Sequence, residues 1–268
     1  MTTSRSSRGT SRQPSRLPAR VLLGGVCLAT LVLVTVSYAQ QAAPSGEEVY
    51  VDRLGCWNCH GTAGRGGAGA VIAKTQLPLR RFVSYVRLPS KEMPPFVPLL
   101  ASDAELAIVY RWLDGSDAVS TPPAMTINLK SPTGVRADGQ ARADVEIDVT
   151  AAMTDAAPAS GLPAPASLRY RVTLIASANT PVANQTMEYQ RAAGAEWSKF
   201  TTDEHGEAML DPDRGFVAVE AHEPGEPRTR LRTALAAGKT VLVIEALDYS
   251  TPANPVMVGI GSVILKVD

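Results

Sequence analysis

The sequence predicts a multidomain protein, a small all-α domain followed by an all-β sandwich. Three observations carry that expectation. Between residues 45 and 117 apolar residues recur at helical spacing behind capping signals. After residue 125 the period shortens to two, in β-branched runs bounded by Gly, Pro, Asp and Asn. Between the two lies "STPPAM", Ser120 to Met125, a Pro-containing stretch that places the linker at 118–124.

Before the first domain stands a segment of a different kind. Arg5, Arg8, Arg12, Arg16 and Arg20 lie among Ser, Thr and Gly with no acid nearby. "VLLGGVCLATLVLVTV", Val21 to Val36, then runs without a charge and ends at the small-residue exit Ser37-Tyr38-Ala39. A basic start, an apolar middle and a small-residue end make an export signal, residues 1–39, with cleavage after Ala39. If uncleaved, residues 21–39 come close to the ~20 residues that span a bilayer and serve as an anchor. Either way the remainder is expected outside the inner membrane, as a periplasmic protein.

The 268-residue chain is 45% hydrophobic and 19% charged, a globular composition. Its zero net charge divides unevenly. Residues 1–45 hold five basic and no acidic side chains, residues 46–117 eight of each, and residues 118–268 thirteen basic and eighteen acidic. Nothing after residue 45 is basic enough to favour nucleic acid as a partner.

The helical domain opens with Ser45 and Glu48, spaced as a capping box, ahead of the helix "EEVYVDRL". Leu79, Phe82, Val83 and Val86 mark a second helix that ends before Pro89. Ser102 and Glu105 form another capping box, Leu106, Val109, Tyr110 and Leu113 one face, and Gly115 a C-cap. Into this frame falls "GCWNCHG", Gly55 to Gly61. The chain has three Cys and three His, yet Cys56, Cys59 and His60 sit within five positions. In an oxidising compartment two Cys three apart suit a disulfide or redox pair. A zinc site needs further ligands, and only His205 and His222 remain, far along the chain. The third reading is C-x-x-C-H, the attachment site of c-type haem. Its spacing suits two thiols adding to two vinyl groups while the adjacent imidazole reaches the iron.

With these helices around the motif, and "KEMPPF" (Lys91 to Phe96) before the last of them, residues 45–117 resemble a class I monohaem cytochrome c of the bacterial periplasmic type. The resemblance implies the cytochrome c fold, one covalent haem c, His60 as proximal iron ligand and Met93 as distal ligand. A thioether favours reduced iron, and Pro94-Pro95 would hold it in an extended loop. Arg87, six residues before Met93, matches the family's R-x-x-x-x-x-M-P and by that match pairs with a haem propionate; the competing reading is a solvated side chain at a helix end. Trp57 is expected to shield the haem edge, and Tyr50 and Trp112 to join the first and last helices. One departure stands out: the family follows C-x-x-C-H with Gly-Pro, whereas "GRGGAGAVIA", Gly64 to Ala73, has no Pro. A backbone carbonyl of this loop is therefore expected to orient His60.

Beyond the linker, strands are expected at "TINL" (126–129), "DVEIDV" (144–149), "LRYRVTLIA" (168–176), "FVAVEA" (216–221), "TVLVIEAL" (240–247) and "VMVGIGSVILKV" (256–267). Six or more strands over residues 125–268 suggest an antiparallel sandwich. "GVRADGQARADVEIDVTA" and "TTDEHGEAML" resemble segments of bacterial immunoglobulin-like domains of the invasin type. His205 and His222, each beside acids, read as exposed loop residues. Asp203, Glu204, Asp211 and Asp213 lack calcium-loop spacing and read as a solvated turn.

The function expected is an electron carrier rather than an enzyme. It would pass single electrons between periplasmic redox partners, a dehydrogenase or oxidase among them, with the sandwich used for docking or assembly. Two alternatives remain: a cytochrome subunit of a periplasmic dehydrogenase complex, or a haem sensor or enzyme whose Met93 is displaced. A fragment ending near Asp117 is expected to stand alone.

Overall fold

The computed structural model describes residues 44–115, 125–130, 143–151, 167–190, 196–210 and 229–267. The expected export signal, the expected 118–124 linker, the strand expected at 216–221 and His222 lie outside these residues. No helix among the described residues is long and apolar enough to cross a membrane.

Four helical segments form in the order expected. Helix α1 (Gly46–Glu48) starts where the Ser45 hydroxyl accepts the Glu48 N–H at 3.0 Å, and a π-type turn, Val49–Arg53, continues it. Helix α2 (Trp57–His60) is one turn. Helix α3 (Leu79–Arg87) buries Leu79, Phe82, Val83 and Val86, the expected stripe. Helix α4 (Asp103–Asp114) carries a complete capping box between Ser102 and Glu105 and ends on Gly115 at φ 77°, a left-handed cap that suits glycine. Helices α1 and α4 cross closely, because a Cβ on Gly46 would lie 2.3 Å from Trp112 Cβ. One turn further on, the Tyr50 and Trp112 rings pack with centroids 5.0 Å apart.

Ten strands follow among the described residues: β1 (Met125–Lys130), β2 (Ala143–Ala151), β3 (Leu168–Ala176), β4 (Thr180–Pro181), β5 (Thr186–Gln190), β6 (Trp197–Thr201), β7 (Glu207–Leu210), β8 (Thr229–Thr233), β9 (Gly238–Asp248) and β10 (Val256–Val267). They hydrogen-bond in the order β4-β3-β9-β10-β1-β2-β8-β5-β6, with β7 also on β3. Strands far apart in this order, β3 and β9 on one side and β5 and β8 on the other, share one buried cluster around Tyr170, Leu242, Met187 and Leu231. The sheet is therefore folded over its own core as a sandwich. The pairing is not wholly antiparallel: β1 runs parallel to β10 where Met125 and Thr126 face Gly259 and Ile260, and antiparallel to β2. Gly261 permits the approach, since a Cβ there would meet the Ile127 carbonyl oxygen at 2.2 Å.

The two parts share a core, contrary to the independence expected of them. Thr240 to Leu247 of β9 is buried on both faces. Leu242, Ile244 and Ala246 enter the sandwich core, while Val241 and Val243, with Ile260 of β10, join Val83, Val86, Leu106 and Val109 of the helices. Ionic contacts rim this apolar centre. Arg80 Nε donates to Glu207 Oε1 at 2.6 Å, and Arg81 donates to the carbonyls of Asn179 and His205 at 3.2 and 2.9 Å. Each buried valine or isoleucine is worth about 1.5 to 3 kcal/mol. A fragment ending at Asp117 is therefore expected to melt about 10 °C or more below the full chain, given ~4–8 °C per kcal/mol for a domain this small. Equal melting temperatures for fragment and full chain would restore the independent-domain picture.

Glu245 of β9 lies in the same interface, only 4% exposed, with Arg171 at 3.2 Å and Arg80 at 4.0 Å. Burial pushes its carboxyl above the usual 4.5, partly offset by these two arginines. Because the folded state holds this proton more tightly, the stabilising contribution is full below 4.5 and is lost as pH rises through the raised value. Glu245→Gln is expected to gain stability relative to wild type as pH rises from about 4.5 to 7. Denaturant titrations at several pH values measure this difference, and a constant one contradicts it.

Candidate haem site

The motif is built by backbone geometry before any side chain is considered. Gly55 turns at φ 65° out of the π-type turn, and the Cys56 N–H donates to the Tyr50 carbonyl at 2.9 Å. The single turn of α2 sets Cys56, Cys59 and His60 on one side, with the His60 N–H on the Cys56 carbonyl at 3.0 Å. Gly61 ends it at φ 70°, and the Tyr50 hydroxyl donates to the Gly61 carbonyl at 2.8 Å.

The glycine-rich loop then folds back over this turn. Gly69 N–H reaches the Cys59 carbonyl at 2.7 Å, and Gly66 N–H the His60 carbonyl at 2.8 Å. A Cβ on Gly61 would lie 2.1 Å from the Gly66 oxygen, so the loop closes only with glycine there. The loop delivers the Ala70 carbonyl to His60 Nδ1 at 2.7 Å. A carbonyl only accepts, so Nδ1 donates and Nε2 keeps its lone pair, the tautomer a metal-bound imidazole needs. The loop carbonyl expected from sequence is thus that of Ala70.

The donor set fits a covalently held haem. Cys56, half-buried against the helical core, and Cys59, exposed, are both free thiols. Burial pushes the Cys56 thiol up to about 11, with the neighbouring Cys59 adding to the rise. A redox-active cysteine needs the opposite shift, toward thiolate, so the geometry disfavours a redox pair. In the haem-free chain Cys59 is expected to alkylate well before Cys56 at pH 8. Mass mapping of a partial iodoacetamide reaction checks this, and equal labelling contradicts it. Trp57 (47% exposed) and Val71 (66%), in or beside the motif, present apolar surface on which a flat macrocycle can pack.

Met93 borders the same apolar cluster as Cys56, as does Phe96. The loop between α3 and α4 is tied at its base: the Phe96 N–H donates to the Val86 carbonyl at 3.0 Å. The reading of Arg87 as a solvated side chain does not hold. The side chain is fully buried, and all three of its nitrogens serve protein acceptors. Nη1 donates to the Phe96 carbonyl at 2.6 Å, Nη2 to Asp103 Oδ1 at 2.7 Å and Nε to Ser262 Oγ at 3.0 Å. The guanidinium joins helix to sheet.

Ala70, Asp103 and Ser262 escaped the sequence reading. The first acts through its backbone, and the other two meet Arg87 only in the fold. His205 is exposed, with Glu204 Oε1 at 3.6 Å. Its turn is organised by Asp203, whose Oδ1 accepts the His205 and Glu207 N–H groups at 2.8 and 2.9 Å.

Residues 41–113 match the family described as cytochrome C oxidase, cbb3-type, subunit III. The match spans both thiols, His60 and the Met93 loop, and supports a haem-binding c-type cytochrome domain over this segment. No curated protein matches the chain. Solved structures resemble it only distantly. A conjugative transposon lipoprotein from Bacteroides eggerthii is 10% identical, covering 53% of this chain and 96% of that one at a TM-score of 0.27. The CARDB domain of the PF1109 protein from Pyrococcus furiosus is 13% identical, covering 55% and 89% at 0.24. HBP35 of Porphyromonas gingivalis is 14% identical, covering 66% and 50% at 0.28. Scores this low carry no inference about function.

Proposed function

We propose that the protein is an exported c-type cytochrome that carries one covalently bound haem and passes single electrons between periplasmic redox partners. The observation that best supports this is the His60 arrangement: a C-x-x-C-H turn whose imidazole is held at Nδ1 by Ala70, leaving Nε2 for iron. Haem bound there supplies a one-electron couple. The chain supplies the rest. Cys56 and Cys59 would hold the ring covalently, and His60 Nε2 and the Met93 thioether, the latter on its tied loop, would hold the iron. With His60 and Met93 both holding the iron, no open position would be left for substrate, which favours a carrier over an enzyme.

The family match favours one variation, in which the chain works as the cytochrome subunit of a larger oxidoreductase complex, since the matching family is itself described as an oxidase subunit. On either version the sandwich assists docking or assembly, and residues 21–39 attach the chain to the membrane if they are retained. Reductive titration of the purified protein from the periplasmic fraction tests the carrier reading. One n = 1 transition and no CO binding are expected. CO binding by the wild type would favour a sensor or enzyme, and copurification with membrane subunits the complex.

A further inference from the structure

We infer that the sandwich is a working part of the haem site. Ser262 on β10, acting through Arg87, holds the loop that carries Met93 and so sets how firmly its thioether engages iron. This rests on the Met93 ligation proposed above.

The Phe96 carbonyl is fixed by Arg87 Nη1 at 2.6 Å. Only Pro94 and Pro95 separate Phe96 from Met93, and each has its φ locked by its ring. A shift at Phe96 therefore reaches Met93 with little absorbed on the way. The other end of Arg87 is equally constrained. Asp103 Oδ1 accepts from Arg87 Nη2 at 2.7 Å and from the Ser262 hydroxyl at 2.6 Å, and Oδ2 accepts the Ser262 N–H at 2.6 Å. The Ser262 oxygen in turn accepts from Arg87 Nε at 3.0 Å. Each nitrogen of Arg87, the Ser262 hydroxyl and the Ser262 N–H has an acceptor in this buried knot, which favours one geometry of the charge pair over several. Ser262 sits in the strand that also supplies Ile260 to the shared core, so the knot registers the position of the sandwich and relays it to the loop. Arg87 and Ser262 are positioning residues: on this account neither touches the haem.

The test uses the full-length, haem-loaded protein and compares Ser262→Ala with Ser262→Thr, Met93→Ala and Arg80→Gln. Arg80→Gln breaks a neighbouring interface ion pair, to Glu207, without touching the loop. Three properties are read: the ferric charge-transfer band of methionine-ligated haem, CO binding to the ferrous form, and amide hydrogen exchange at Phe96 in the haem-free chain. Ser262→Ala is expected to weaken the band, to let CO bind about tenfold more readily, as loss of a charge-assisted hydrogen bond of ordinary strength implies, and to speed Phe96 exchange. Ser262→Thr restores all three, and Arg80→Gln changes none. Wild-type values for Ser262→Ala, or equal changes in Arg80→Gln, overturn the inference while Met93→Ala still alters band and CO binding. If Met93→Ala alters neither, the ligand assignment has failed and this inference falls with it.

Discussion

Replacing both Cys56 and Cys59 by Ala is expected to abolish covalent haem. The two thiols stand about one turn apart, Cys56 at the N-cap of α2 and Cys59 within it, and no other described cysteine is available to replace them. Each single replacement leaves one thioether, so it should reduce haem retention without eliminating it. The stability effect follows from linkage. A group that favours the folded state a thousandfold contributes about 4 kcal/mol, so the double variant should melt well below the haem-loaded wild type. The drop should be read in the helical part first, because the sandwich keeps its own cluster around Tyr170 and Leu242. Circular dichroism with haem staining on denaturing gels measures both effects. Haem staining of the double variant equal to wild type contradicts the attachment site.

Met93→Ala is expected to lower the reduction potential by about 100 to 300 mV, within the ~0.8 V over which axial ligands tune haem. The soft thioether favours ferrous iron, and water, a harder ligand, takes its place when it is gone. CO should then bind the ferrous form. Of the other described methionines, Met125 and Met187 are buried in the sandwich core and Met209 lies on β7, while Met257 on β10 borders the same cluster as Met93. An unchanged potential and spectrum would remove Met93 as the distal ligand.

Where local chemistry decides structure, the sequence was legible. Ser45, Ser102 and Gly115 announced their caps, and Leu79 to Val86 its buried stripe, because capping and helical period act within one or two turns. Strands β3 and β10 fall where their apolar runs placed them. Strands β4, β5, β6 and β8 were missed because each is short and sets at most two apolar side chains among polar ones, as in "TRLRT". The continuous apolar run of β9 held a clue that went unread: a strand without polar alternation is covered on both faces. Its second cover is the helical domain. The solvated reading of Arg87 fails for the same reason, because its acceptors are the Phe96 carbonyl, Asp103 of α4 and Ser262, 175 residues away. The Cys56, Cys59 and His60 cluster was legible as a motif, but the close approaches at Gly61, Gly64 and Gly67, where a Cβ would meet a neighbour within 3.0 Å, show only in the fold. Which carbonyl met His60 needed the fold.

The most direct measurement is the intact mass of the exported wild-type protein after denaturation and acid–acetone extraction. Covalent attachment through Cys56 and Cys59 predicts a species heavier than the polypeptide by one haem, with the acetone phase colourless. A polypeptide mass alone, with haem recovered in the acetone, contradicts the c-type assignment.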